Sequence, residues 1–404
     1  MDKKKYQSIR SMFDMNRRHF LKMSGAVGTG LVLGTPAAWA DEEKKAEKSR
    51  PKTNVEEVLD VPKKAHSLPG PFPGKVVEVF NENAVLDKSP SADVTESMFY
   101  SGLEGLTGMS SSRSFDLLFK KDDVVGIKVN PVGAGIISTR LEVVDAIIKW
   151  LTQNGMQKKN IVIWDRFDYM LRDAGFTQER FPGVRIEGLQ TMDEAAAEGK
   201  SEDNSQWRTP NGEHISVENF DEDVYYWADV DGPKDDAYLN QHVFNGTKSY
   251  FGKLITQTLT KIINVPVFKN TGNGISMATK NLGYGAVCNT GRLHRPLFFN
   301  VCTEVLAFPA IRDKLVLNIT DALIAQYDGG PMPNAKFTYD YNRLFLATDP
   351  FALDMISHTL MVKKRIEMKV RVNEHPMYTE YLRYAEKLGL GIADPKKIDH
   401  VVLG

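Results

Sequence analysis

Cysteine is nearly absent: Cys288 and Cys302 are the two in 404 residues. Two thiols cannot complete a four-cysteine zinc or iron–sulfur site. They leave open either one disulfide or two separate buried thiols. Net charge is nearly absent too, at −1, so the chain carries no nucleic-acid footprint. No Walker motif, G-x-S-x-G elbow or H-E-x-x-H pair occurs. The segment GAGIIS (133–138) lacks the full glycine fingerprint, so a dinucleotide cofactor is not supported. The first apolar run, GAVGTGLVLG, is too short for a permanent membrane span.

That run belongs to a recognisable leader. Residues 1–40 have a basic start, a short apolar middle and a small-residue end at Ala38-Trp39-Ala40, the layout of a cleaved secretory signal. Arg17-Arg18, followed by His19, Phe20, Leu21 and Lys22, resembles the twin-arginine signal, with Asn16 where Ser or Thr is commoner. The implied partner is the twin-arginine (Tat) export machinery, which carries folded cargo, and the implied location is the periplasm or beyond. Without residues 1–40 the chain keeps 44 basic and 50 acidic residues. That acidic balance disfavours DNA and anionic membranes.

Residues 41–74 read as a charged, Pro/Gly-rich linker. From residue 75 the pattern is α/β. The run DDVVGIKVN predicts a strand, Leu141 to Leu151 a helix with one apolar face, and IVIWD a returning strand. A strand–helix–strand unit of this kind is parallel with a right-handed crossover. Further strands are expected at VRIEGLQ, KIINVPVF, KLVLNITDAL and NRLFLATDP. The fold expected is a mostly parallel sheet with helices on both faces. Residues 191–250, polar and acidic, break the rhythm and read as an insertion, a lid or small β subdomain.

The stretch from Lys261 to Pro296 concentrates the chemistry. It opens as a strand and then delivers Lys269, Asn270, Lys280, Asn281, Arg292, His294 and Arg295 along a glycine-rich path. Cations and amides among glycines suit an anion. In parallel sheets ligands bind outside the carboxyl ends of the strands. Lys128 and Asn130, Asp165, Asp321 and Asp349 all close predicted strands and are expected to meet there. Asp165, Asp321 and Asp349 are hard-oxygen donors for a divalent metal. Lys128, Asn130, Asn270, Asn281 and Arg292 are expected to hold a ligand. Lys269, Lys280 and His294 are the expected catalytic groups, with His294 moving a proton. Each has a plainer reading: Asp349 before Pro350 is also a good helix cap, and Asp354 with His358 is a structural i, i+4 pair.

The passages VVGIKVN, IVIWD, VPVFKN, ATKNLGYGAV with a following histidine, LNITDALIAQYDGGP and LATDPFALDMIS resemble the domain of unknown function 362 family. The resemblance spans roughly residues 75–403. It points at Lys128, Asn130, Lys269, Lys280, Asn281, His294, Asp321, Asp349 and Asp354. Many relatives place a histidine where this chain has Asn270, and some carry a clustered-cysteine segment that is absent here. The family implies fold and site location, not a reaction. The expected function is an exported enzyme acting on a small carboxylated or phosphorylated metabolite. The alternatives are a non-catalytic carrier of an anion or metal, or an accessory protein of a redox complex.

Overall fold

The structure, a computed structural model, describes residues 51–190, 219–230, 247–294 and 297–404. Strand β1 is Lys75–Phe80; β2 (Val85–Leu86) and β3 (Ser89–Pro90) form a small hairpin. Strands β4 (Val125–Lys128), β5 (Ile161–Phe167) and β6 (Arg185–Gln190) follow. After a separate antiparallel pair, β7 (Phe220–Trp227) with β8 (Lys248–Gly252), come β9 (Lys261–Asn264), β10 (Val267–Thr271) and β11 (Gly274–Ile275). The series ends with β12 (Leu315–Gln326), β13 (Thr338–Ala347) and β14 (Asp399–Leu403).

The main sheet runs β14-β1-β13-β12-β9-β4-β5-β6, with β10 alongside the far half of β12. The central strands β6, β5, β4, β9 and β12 are mutually parallel. Strand β13 pairs antiparallel with both β12 and β1, and β1 is parallel to β14. The expected mostly parallel sheet is present, with β13 reversed within it and the short β11 antiparallel to β10 at its margin.

Helices cover both faces, which is why the central strands are apolar runs and not alternating ones. On one face lie α2 (Ala92–Thr107), α3 (Ser111–Leu118) and α4 (Leu141–Gln153), after the short α1 (Val55–Leu59). Their core joins Phe99, Phe115 and Trp150 to Ile127, Ile163, Ile263 and Leu317. Trp150 meets Phe99 and Phe119 edge-on, each at 5.6 Å between centroids, contacts that contribute roughly 1 kcal/mol apiece beyond burial. On the other face, after α5 (Asp168–Asp173), lie α6 (Ala278–Gly283), α7 (Asn300–Ala307), α8 (Pro309–Arg312), α9 (Pro350–Glu367) and α10 (Glu380–Lys387). They bury Trp164, Ile262, Leu282, Val305 and Tyr381, and Phe268, Phe345 and Leu353 in a neighbouring cluster.

Helix α4 starts at Leu141, and neither Ser138 nor Thr139 caps it. The Thr139 hydroxyl accepts from Asn130 N and donates to Val265 O, both at 2.8 Å. The amide of Arg140, at the helix start, is taken by Asp321 instead. Within the predicted insertion the hairpin β7–β8 is described; the rest, residues 191–218 and 231–246, lies outside the described residues, as does Arg295.

Candidate functional site

One register row organises the sheet. Lys128 on β4 stands beside Asn264 on β9, which stands beside Asn318 on β12. All three side chains point to the face covered by α6. Asn264 Nδ2 donates to Asn318 Oδ1 at 3.0 Å and to Ala278 O at 3.0 Å. Asn281 Nδ2 donates to Asn264 Oδ1 at 2.8 Å, and Lys128 Nζ donates to Asn281 Oδ1 at 3.2 Å. Helix α6 is thus tied to the sheet beneath it by a buried, satisfied polar chain.

A carboxylate from α9 holds the same helix at its start. Asp354 accepts from Ala278 N and Thr279 N at 2.9 Å each and from Thr279 Oγ1 at 2.6 Å. The i, i+4 reading of Asp354 with His358 therefore gives way to a cap between two helices, and burial pushes the His358 pKa down to about 4.

At the carboxyl end of β4, β5 and β10 this frame gathers three lysines. Lys128, 1 % exposed, donates to Asp165 Oδ1, to Val129 O at 2.8 Å and to Asn281, so its three N–H groups are used. Gly285 makes room for it: a Cβ there would stand 2.6 Å from Lys128 Cε. Lys269, also 1 % exposed, donates to Asn130 Oδ1 at 3.0 Å and Val132 O at 3.1 Å, both neutral acceptors. Burial first, then repulsion from Lys280, brings its pKa down to about 7. Lys280 is half-buried. Its Nζ lies 5.2 Å from the Tyr284 ring centre and 5.6 Å from that of Phe298. No carboxylate or hydrogen-bond acceptor meets it among the described residues, and burial lowers its pKa.

His294 shares those two rings, at 4.6 Å from Tyr284 and 5.6 Å from Phe298. Its Nδ1 lies 2.9 Å from Thr290 O and donates to it. Burial, and then the Lys280 charge, hold its pKa at about 3, so the imidazole is neutral at physiological pH. Arg166, at the end of β5, adds a fourth cation that also depresses His294; it donates to Thr290 Oγ1 and to Gln190 Oε1 at 3.3 Å.

The other predicted residues stand elsewhere. Asn270 is spent on a loop, donating to Gly272 O at 2.9 Å and accepting from Gly330 N at 3.0 Å. Arg292 turns to the β7–β8 side, donating to Val230 O and Ser249 Oγ at 2.8 Å and to Ala228 O at 3.2 Å. The three acids expected to share a metal are dispersed. Asp321 lies within β12, not at its end. It points to the α4 face with Leu317 and Ile319, and accepts from Arg140 N at 2.7 Å and Leu323 N at 3.1 Å. Asp349 lies at the opposite rim, because the strand it follows, β13, runs backwards. There it accepts from Phe351 N, Ala352 N, Gly74 N and Ile392 N at 2.8–3.1 Å. Asp165 alone stays at the site, paired with Lys128. Among the described residues no three His, Cys, Asp or Glu side chains gather to hold a metal ion, and this donor set does not fit a shared divalent centre. The two cysteines are separate buried thiols.

The glycines between Lys261 and Pro296 serve packing more than turns. Of those described, Gly272 alone has a positive φ, at 56°. Gly283 instead lets α6 press on α7, where a Cβ would meet Cys302 Cα at 2.8 Å. Arg166, Asn264 and Asn318 were missed by the sequence reading. Asn264 and Asn318 carried a usable signal, each being an amide within an aliphatic run of the sequence.

An open, mostly parallel α/β sheet with a cation-rich site at the carboxyl rim of its strands defines the class. The chain belongs to the family described as Domain of unknown function (DUF362), whose model matches residues 125–359. Residues 14–34 match the twin-arginine translocation pathway signal sequence, so the protein is exported by that route. No helix among the described residues is long and apolar enough to cross a membrane. No curated protein and no solved structure matches the chain.

Proposed function

We propose that the protein is an exported enzyme, working in the periplasm, that binds a small anionic metabolite, carboxylated or phosphorylated, at the Lys269–Lys280 end of α6. One observation carries this reading. Three lysines lie together at the strand ends, and Asp165 is the one carboxylate in ion-pair contact with any of them among the described residues. Desolvated cations are costly unless something compensates them, and an anionic ligand beside Lys269 and Lys280 would do so. His294 supports chemistry over simple carriage. An arriving anion offsets the Lys280 charge, raises the imidazole pKa and makes His294 a competent proton acceptor.

The test is a thermal-shift screen of carboxylate and phosphate metabolites on the exported protein, repeated on Lys280→Gln. Expected is a raised Tm for at least one anion, about 2.7 kcal/mol of stabilisation at a hundredfold excess over Kd, with the shift lost in Lys280→Gln. A flat screen, or a shift indifferent to the substitution, would overturn the reading. With a ligand found, His294→Ala separates enzyme from carrier: an enzyme loses turnover and keeps affinity.

A further inference from the structure

We propose that Lys280 is a nucleophile that forms an imine with the carbonyl of an anionic substrate, so that the ligand class is an oxo acid. This rests on the anion-site reading above and narrows it.

The three lysines are held in different ways. Lys128 has its three N–H groups occupied and a carboxylate at its side, so it is spent on the structure, although burial lowers its pKa. Lys269 is almost fully covered and already donates to two oxygens. Lys280 differs in exposure, being partly open, and in its lack of an acceptor among the described residues. Its amine lies against the faces of Tyr284 and Phe298. A lysine amine becomes nucleophilic when it is desolvated or set beside another cation. The first condition holds here, for burial lowers its pKa, and its charge in turn reaches Lys269. Its position on α6 is fixed by the Asp354 cap at one end and the Asn281–Asn264 bond beneath. The positive charge of Lys269, which interacts with that of Lys280, favours a carboxylate on the substrate.

The step balances without an outside oxidant or reductant. The neutral Lys280 Nζ adds its lone pair to the carbonyl carbon, and the C=O π pair moves onto oxygen. His294, on the same two aromatic rings, takes a proton from that nitrogen and returns it to the oxygen. The nitrogen lone pair then expels the hydroxyl, which leaves as water with one proton from solvent. The product is a protonated imine, an electron sink that acidifies the adjacent C–H bond.

Pyruvate with cyanoborohydride, applied to the purified exported protein, is the probe. Expected is one reduced adduct, mapped by peptide mass spectrometry to Lys280. It should form faster than on any surface lysine by about tenfold for each pKa unit that burial removes. It should be slowed by acetate in excess and be absent in Lys280→Arg. Adducts spread evenly over surface lysines, or placed on Lys128 or Lys269, would overturn the proposal. Mapping on the wild-type chain decides this even if the variant fails to fold. Should anions raise Tm while no Lys280 adduct forms, the imine falls and the anion site stands. Should neither occur, both fall.

Discussion

The two rims of the sheet handle buried charge in opposite ways. At the rim formed by the reversed strand, the fully buried Asp349 receives four backbone N–H groups and joins the start of β1, the start of α9 and the 391–393 turn. At the other rim, Lys280 meets two aromatic rings but no acceptor among the described residues, and Lys269 has neutral acceptors. A charge whose hydrogen bonds are complete is part of the scaffold. A charge left short of partners at a strand's carboxyl end is available to a ligand.

The largest effect that would break this contrast is Lys128→Ala. It strips Asp165 of its buried partner and should cost about 3–5 kcal/mol in urea unfolding. A loss below 1 kcal/mol would mean that the pair is not structural. Next, Asp349→Ala should cost about 3 kcal/mol by freeing several buried amides, while leaving any anion-induced Tm shift intact; a lost shift would place Asp349 in the ligand site after all. Lys280→Met should do the reverse, changing stability by less than about 1 kcal/mol, or raising it, while abolishing anion binding.

The smallest effect is one of pH. Burial raises the Asp349 pKa to about 7 from 3.8. The folded state therefore holds a proton that the unfolded state has released. This contribution is full below about pH 4 and is lost as pH rises through about 7. Lys269, lowered to about 7 from 10.5, contributes the opposite slope, with stability rising between about pH 7 and 10. Denaturation across pH 4–10 should lose the first slope in Asp349→Asn and the second in Lys269→Met.

Much of this was legible in the chain. The apolar runs around Ile127, Ile163 and Ile263 announced parallel central strands, and Lys128, Asn130, Asp165, Lys269, Lys280, Asn281 and His294 do assemble at one rim. What failed was direction. Hydrophobic pattern is the same for a strand run either way, so the reversal of β13 and the removal of Asp349 to the far rim could not be read. Alternation misled at Asp321 too, because β12 continues to Gln326 and the carboxylate serves the opposite face. Asn270 and Arg292 were chosen for their type, and type does not say which way a side chain turns.

The amides of Asn264 and Asn318 have a consequence for how the sheet assembles. Strands rich in isoleucine, leucine and valine offer many near-equivalent alignments, since sliding one past another still buries methyl groups. A slip of one position would carry Asn318 into the hydrocarbon on the α4 side, leaving its amide dry and unbonded and costing Asn264 one of its partners. The pair thus acts as a notch that admits one alignment of β12 on β9, and it sets the height at which the Lys128 ammonium emerges beneath α6.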